Sequence, residues 1–399
     1  MSLSISHRAA NIAPSLTLAI TARAAEMKAQ GLDVVGFGAG EPDFPTPAFI
    51  CDAAKEAIDK GLTKYTPAAG TKELRKAICE KLLRDNDMTY NYQNILVSNG
   101  AKHSLYNIFQ AILDPGDEVL IPSPCWVSYP EMVRMAGGVP VFIPSTEENN
   151  FIPTNRDIAS RVSRRTKAII ITSPSNPNGS IWSKDQLQFV ADLAVTHPFY
   201  VISDEIYEKL IYDGKKHFSI AQLGEQIKAC TFIVNGVSKA YAMTGWRIGY
   251  VAGPQDVIAA MSSYQSHATS NPNSIAQYAA LKALQGDQQC VCDMVAAFEK
   301  RRDLMYERIN SIEGISCLKP QGAFYVMMNI GKLIGRHYQG RVIEGSMDFA
   351  ELLLAEKKVA VVPGVAFEAD SYCRLSYAIN EKQINKGLDR IAEFVAELE

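Results

Sequence analysis

The sequence predicts an α/β protein, in which a large domain carries a mostly parallel central sheet covered by helices and a smaller α+β domain sits beside it. Three observations lead there. From about residue 50 to 290, short apolar runs rich in β-branched residues alternate with longer amphipathic stretches, the pattern of crossover units on a sheet buried on both faces. After about residue 275 this rhythm gives way to a long helical pattern and then to shorter mixed elements. At 399 residues and 47% hydrophobic content, the chain also exceeds what a single core usually organises.

Residues 1–46 end in the turn-rich run Gly36-Phe-Gly-Ala-Gly-Glu-Pro-Asp-Phe-Pro-Thr-Pro47 and are expected to wrap the smaller domain. Strands are expected at 95–98, 118–121, 139–143, 167–172, 199–203, 231–235 and 248–252, each rich in the aliphatic and aromatic residues that suit a pleated, buried surface. Residues 101–113 and 184–196 show helical periodicity. Asp114-Pro-Gly-Asp117 closes the first of these helices, and Ser173-Pro-Ser-Asn-Pro-Asn-Gly179 makes a turn after the strand at 167–172. One long helix is expected from about 275 to 313, carrying Glu299-Lys-Arg-Arg-Asp303, with strands following at 323–328, 359–362 and 374–376. The expected division is an N-terminal arm and small-domain segment at 1–46, a large domain at 47–290 and a small C-terminal domain at 291–399.

With 40 basic and 43 acidic side chains, a net charge of −3 and an isoelectric point near 6.1, the chain has no basic stripe. Nucleic acid and anionic membranes are therefore not expected partners. The eight cysteines include no CxxC pair and read as free thiols in a reducing compartment. The opening Met-Ser-Leu-Ser-Ile-Ser-His-Arg lacks the apolar stretch of a signal peptide. The expected location is the cytoplasm.

Lys239 follows the strand at 231–235 directly. A lysine at a strand exit meets a ligand at the sheet edge while its stem stays buried. Burial disfavours the ammonium, and the neutral amine is the form that makes a Schiff base. Ser238 beside it and Arg247 eight residues on suit a phosphate. The cofactor this grouping implies is pyridoxal phosphate, held covalently on Lys239.

Ligands of an open parallel sheet bind beyond the carboxyl ends of its strands. Three expected strands lead there into polar residues: Asn176, then Asp204 with Tyr207, then Ser238 with Lys239. A carboxylate at Asp204 would hold a proton on the ring nitrogen of the cofactor. Tyr207 and Asn176 suit the ring oxygen, and Trp126 in Pro124-Cys-Trp-Val-Ser128 offers a stacking face. Ser98-Asn-Gly-Ala-Lys102 enters a helix in the order a phosphate site needs. For the substrate, Arg374 in Cys373-Arg-Leu-Ser-Tyr-Ala378 can clamp an α-carboxylate, with the backbone N–H of Gly40 to share it.

Each residue alone has an ordinary structural explanation. Asp204 suits a helix N-cap, Trp126 a core, Asn176 and Gly100 a turn, and Arg374 a surface ion pair. Their joint order is what no single explanation of that kind covers.

Those motifs, with Gly38-Ala-Gly-Glu-Pro-Asp-Phe44, Lys64-Tyr-Thr-Pro-Ala-Ala-Gly70, Asp204-Glu-Ile-Tyr207, Gly245-Trp-Arg-Ile-Gly249 and Arg374-Leu-Ser-Tyr377, mark a resemblance. Over nearly its whole length the chain resembles the class I aminotransferases of PLP fold type I. Within them it is similar to the bacterial aspartate aminotransferases, some of which also accept prephenate. The resemblance implies Lys239 as Schiff-base lysine and proton shuttle and Asp204 as partner of the pyridine nitrogen. It places Tyr207 and Asn176 at the ring oxygen, and Trp126 on the ring. Gly100, Ala101, Ser238 and Arg247 would hold the phosphate, joined by Tyr65 from a neighbouring subunit, so that a homodimer is the functional unit. Gly40, Trp126, Asn176 and Arg374 would contact the amino acid and 2-oxo acid substrates, with no metal involved. Lys102 resembles the subgroup's device for a distal carboxylate, which favours aspartate and glutamate.

Two departures stand out. Many relatives have a lysine before the pair that is here Pro14-Ser15, whereas this chain has Ala13, which counts against prephenate. Asn178 stands where threonine is usual. The implied activity is ping-pong transamination of L-aspartate with 2-oxoglutarate. Prephenate or aromatic transamination and a pyridoxal-phosphate lyase on the same scaffold stay open. A cofactor-binding transcription regulator would need a DNA-binding extension, and a dinucleotide dehydrogenase would need GxGxxG spacing that Gly36-Phe-Gly-Ala-Gly40 lacks.

Overall fold

A central sheet of seven strands runs in the order β2-β8-β7-β6-β5-β3-β4 in the computed structural model, which describes residues 5–10 and 12–399. Residues 1–4, part of the polar opening stretch, lie outside the described residues. The strands are β2 (Ile95–Ser98), β3 (Glu118–Ser123), β4 (Val139–Pro144), β5 (Thr166–Thr172), β6 (Tyr200–Asp204), β7 (Thr231–Gly236) and β8 (Gly249–Ala252); the short β1 (Val35–Gly36) lies outside this sheet. Neighbours among β3 to β7 pair in parallel, whereas β8 is antiparallel to both β2 and β7. The reason is local. Residues 237–248 between β7 and β8 hold only the 3-10 turn Thr244–Trp246, and without a crossover helix the chain turns back.

The middle strands are apolar along most of their length because both faces are covered. In β5, Ala168 and Ile170 join one buried cluster and Ile169 and Ile171 another, as the two-residue period of a strand requires. Helix Ala101–Ile112 packs Leu105, Ile108 and Phe109 onto the first of these faces. Helix Lys184–Thr196 packs Leu187, Val190 and Ala191 onto the other.

A third cluster gathers Phe37, Phe298, Phe324, Phe349, Leu388 and Phe394 around a three-stranded antiparallel sheet. Its strands are β9 (Tyr325–Asn329), β13 (Val362–Pro363) and β14 (Tyr372–Ser376), with β14 in the middle. The hairpin of β10 (His337–Tyr338) and β11 (Arg341–Val342) stands apart. The short β1 pairs in parallel with β12 (Val359–Ala360), so the early chain is stitched to the late chain.

Two expectations are corrected here. The long helix expected at 275–313 is two helices, Ser274–Gln285 and Gln289–Asn310. Gly286 breaks it: a Cβ there would stand 2.6 Å from the Phe49 ring. The Gln288 amide caps the freed carbonyls of Ala283 and Gly286, and Asp287 accepts from the Gln289 N–H at 3.0 Å. The single strand expected at 359–362 is split into β12 and β13, which serve different sheets. Among the described residues no helix is long and apolar enough to cross a membrane.

Candidate active site

The carboxyl ends of β5, β6 and β7 bring Asn176, Asp204 and Lys239 to one edge. Lys239 leaves the turn after β7 with its Nζ donating to the Gly40 carbonyl at 2.6 Å. Its cation lies 5.9 Å from the Tyr207 ring and 5.8 Å from the Phe324 ring. Burial pulls its pKa down from 10.5 to about 8, with Arg247 and Arg374 pushing the same way and Glu41 opposing.

Asp204 ends β6 and is 4% exposed. Burial pushes its pKa up to about 6, held back by two hydrogen bonds. Tyr129 Oη donates to Oδ2 at 2.6 Å, and the Ile206 N–H donates to Oδ1 at 3.3 Å. Tyr129 Oη also shares a hydrogen bond of 2.7 Å with Thr172 Oγ1. The two opposite shifts bring a carboxylic acid and an amine toward neutrality from either side, the condition for proton handling. Tyr207 is buried, shares a 2.9 Å hydrogen bond with Tyr325 Oη and packs edge-on against Phe324.

Arg374, on β14, is 3% exposed. Its Nη1 donates to Asn176 Oδ1 at 3.0 Å and its Nη2 to the Gly38 carbonyl at 3.1 Å. Nε has no partner, and the guanidinium stacks on Tyr325 and Phe367, at 4.4 and 4.9 Å from the ring centroids. Among the described residues its hydrogen bonds go only to neutral oxygens. A buried cation without an anion is costly, and a carboxylate ligand removes that cost.

Gly100 precedes helix Ala101–Ile112 with φ +88°. A Cβ there would stand 2.8 Å from Arg247 Cζ, so only glycine lets the guanidinium lie against this turn. Arg247 Nη1 donates to the Thr244 carbonyl at 2.8 Å, which aims it beside the helix start. The first N–H groups of a helix have no acceptors within it, and with Arg247 they make a cradle for an anion at Gly100 and Ala101. Ser238 is buried in the adjoining turn. Trp126 meets the Tyr129 ring edge-on at 5.3 Å, and Lys102 Nζ stands 4.7 Å over the Trp126 ring. Burial, and then Arg247, lower the Lys102 pKa.

These residues fit pyridoxal phosphate: an amine, an anion cradle, an aromatic face and a buried carboxylate converge. Gly40, Lys102, Trp126, Asn176, Asp204, Tyr207, Lys239, Arg247 and Arg374 are joined by the contacts above. Tyr65 is not among them. It is 90% exposed on the single chain. Sequence reasoning missed Tyr129, Thr172 and Tyr325. For Tyr129 a signal existed, since it follows Trp126 by three residues and its N–H bonds the Trp126 carbonyl in one helical turn.

Comparison with known proteins settles the family. The model for aminotransferase class I and II matches residues 32–391. The chain belongs to that family. Such enzymes work with pyridoxal phosphate. The enzyme is 49% identical, over 98% of its own length and 99% of the other, to an aspartate aminotransferase of Bacillus sp. (strain YM-2). It is 44% identical to an aspartate/prephenate aminotransferase of Nitrosomonas europaea, covering 99% of this chain and 100% of the other. Among solved structures, it matches the aspartate aminotransferase from Rhizobium meliloti with a TM-score of 0.96 and 42% identity over 100% of both chains. The aspartate aminotransferase from Thermus thermophilus with maleate matches with a TM-score of 0.92 and 44% identity, over 98% of this chain and 100% of that one. The expected α/β architecture of PLP fold type I is the one observed.

Proposed function

We propose that the enzyme is an aspartate aminotransferase that exchanges the amino group of L-aspartate with 2-oxoglutarate, giving oxaloacetate and L-glutamate. The observation that carries this is Arg374, a buried cation without a carboxylate, facing the site that holds Lys239 and Asp204.

Pyridoxal phosphate, when bound, supplies an electron sink for the charge that develops at the substrate Cα. In this reading Lys239 holds it covalently, and Gly100, Ala101, Ser238 and Arg247 hold its phosphate. Trp126 covers its face, Asn176 and Tyr207 meet its ring oxygen, and Asp204 keeps its ring nitrogen protonated. Arg374, Asn176 and the Gly40 N–H fix the substrate α-carboxylate. The neutral Lys239 amine would take the proton from the substrate Cα. A pKa near 8 instead of 10.5 raises the neutral fraction at pH 7.5 by about two orders of magnitude. Lys102, poised over Trp126, receives the distal carboxylate of aspartate or glutamate.

The relatives named aspartate/prephenate aminotransferases favour prephenate as a second acceptor, and Ala13 in place of a lysine counts against it. The working unit in this reading is a cytoplasmic homodimer in which Tyr65 reaches the partner's phosphate. Its support is the exposed Tyr65 beside the exposed Ile58 and Leu62, and eight cysteines that are all free.

The test is the visible absorption of the loaded enzyme. L-Aspartate alone should convert the band, and 2-oxoglutarate should restore it. A bound cofactor that ignores aspartate would sink the substrate assignment. Lys102→Ala should lower kcat/KM for aspartate about 100-fold more than for an aromatic amino acid, the worth of one charge-assisted pair.

A further inference from the structure

Three carboxylates fall within five residues at the end of β6, at Asp204, Glu205 and Glu208, and all are buried. Like charges this close and away from water need compensation. Glu208 has it. The Lys81 ammonium from helix Lys72–Asn86 pairs with Glu208 Oε1, and Asn86 Nδ2 donates to Oε2 at 3.0 Å. Glu205 has it too. Its Oε1 accepts from Ser203 Oγ at 2.8 Å and Ser219 Oγ at 2.6 Å, and its Oε2 meets His217 Nε2 at 2.9 Å. The ligand atoms of Glu205, Glu208 and His217 lie within 4.8 Å of one another. Of the three, Glu208 already has a cation partner in the Lys81 ammonium. Asp204 differs: its hydrogen bonds come from the neutral Tyr129 hydroxyl and the Ile206 N–H, and the cation acting on it is Lys239 of the site itself.

We propose that His217 is a positioning residue for Asp204: its imidazolium neutralises Glu205, and losing that proton uncovers a second negative charge one residue from Asp204. The inference rests on the reading of Asp204 as partner of the cofactor's ring nitrogen. While His217 is charged, Asp204 alone sets the proton affinity of that nitrogen. Once His217 is neutral, Glu205 adds to the negative potential and holds the ring proton more tightly. The pair thus resists loss of the ring proton as the medium turns alkaline.

Every neighbour of His217 bears on its titration. Burial works against the imidazolium, Glu205 and Glu208 from the turn after β6 favour it, and Lys81 from the helix behind opposes it. The net result is a pKa above the ordinary imidazole value. Tyr90, whose buried hydroxyl has no partner, stays neutral here because burial and Glu205 raise its own pKa. His217 Nδ1 is buried and has no partner. The proton that comes and goes is the one on Nδ1, so the Nε2–H···Glu205 bond lasts through the titration.

The test uses the enzyme loaded with pyridoxal phosphate labelled with ¹⁵N at the ring nitrogen. Its ¹⁵N shift and the histidine side-chain NMR signals are followed over about pH 5.5 to 9.5, the range in which a perturbed histidine titrates. The His217 signal, identified by its absence in His217→Gln, should have a midpoint above about 6.5. The ring-nitrogen signal should step at the same midpoint, by an amount equivalent to about one unit in its pKa. Both His217→Gln and Glu205→Gln should abolish the step. If one variant does not fold, the other decides; if neither folds, coincidence of the two midpoints in the wild-type enzyme decides. A His217 midpoint below about 6.5, or a step that survives either variant, overturns the proposal. A bound label with no coincident step overturns the His217 role alone, whereas a label that never binds overturns the cofactor reading and this inference with it.

Discussion

Replacing Tyr129 with phenylalanine removes one hydroxyl and leaves the ring that packs edge-on against Trp126. The lost group donates to Asp204 Oδ2 at 2.6 Å, a short hydrogen bond to a carboxylate buried with it. Bonds of that class contribute about 1.5–3 kcal/mol. At about 1.4 kcal/mol per unit, the Asp204 pKa should climb by about one to two units from its present value of about 6. At pH 7 the ionised fraction of the carboxyl would then fall from about nine-tenths to between about one half and one tenth, with a matching loss of its hold on the ring-nitrogen charge. The expected result is a fall in kcat of about 2- to 10-fold at pH 7, with the acid limb of the kcat profile moving to higher pH. KM for aspartate should change little, since Tyr129 is not placed against the substrate. The assay is steady-state turnover of L-aspartate with 2-oxoglutarate across pH, with thermal unfolding measured alongside. An acid limb that stays put with kcat within about twofold of wild type would refute the reasoning, because the bond would then carry no charge-holding role.

Three further perturbations follow from the geometry. Lys239→Ala should abolish turnover. In cofactor-free protein it should also remove a pH dependence: with a folded pKa near 8 against 10.5 unfolded, the unfolded chain binds the extra proton between those values, so wild-type stability should rise by about 3 kcal/mol from pH 8 to 10.5. Urea unfolding of both proteins across that range checks it, and parallel curves would refute the lowered pKa. Lys81→Met strands the buried Glu208 carboxylate and should cost about 3–5 kcal/mol at neutral pH. Because the Glu208 pKa is lowered from 4.5 to about 2, that pair's contribution is present above pH 4.5 and is lost as pH falls through 2, so wild type and Lys81→Met should converge in acid. Gly100→Ala, at φ +88° and in the path of Arg247, should weaken cofactor binding about 10-fold or more, measured by equilibrium dialysis; unchanged affinity would remove Arg247 from the cradle.

Much of the fold could be read from the chain because its central strands are mostly short apolar runs. Ile95–Ser98 and Lys184–Thr196 occur as expected, and the other central strands shift by only a residue or two at their ends. What could not be read depends on distant neighbours. The helix break at Gly286 needs the Phe49 ring. The reversal of β8 is visible only once residues 237–248 are seen to lack a crossover helix. In the site, residues at strand exits were legible because strand ends have a chemical address in such a sheet. Tyr129 carried only its three-residue spacing from Trp126, and Glu205 and His217 carried no signal. Their roles come from what they touch after folding.

The pairing of β1 with β12 has a consequence for the order in which a ribosome delivers the parts. The Phe37 N–H bonds the Ala360 carbonyl, the Ser376 N–H bonds the Phe37 carbonyl, and Arg374 holds the Gly38 carbonyl. Gly40, whose carbonyl receives Lys239, hangs from those anchors. During synthesis the seven-stranded sheet is complete at Ala252, while those three anchors to the late chain are still unmade. A nascent chain at that stage holds Lys239 and Asp204 without Arg374, the proposed clamp on the α-carboxylate. The grip arrives only as Val359 to Ser376 emerge and capture a segment translated long before them, so the ability to hold substrate is the late step in the life of each new molecule.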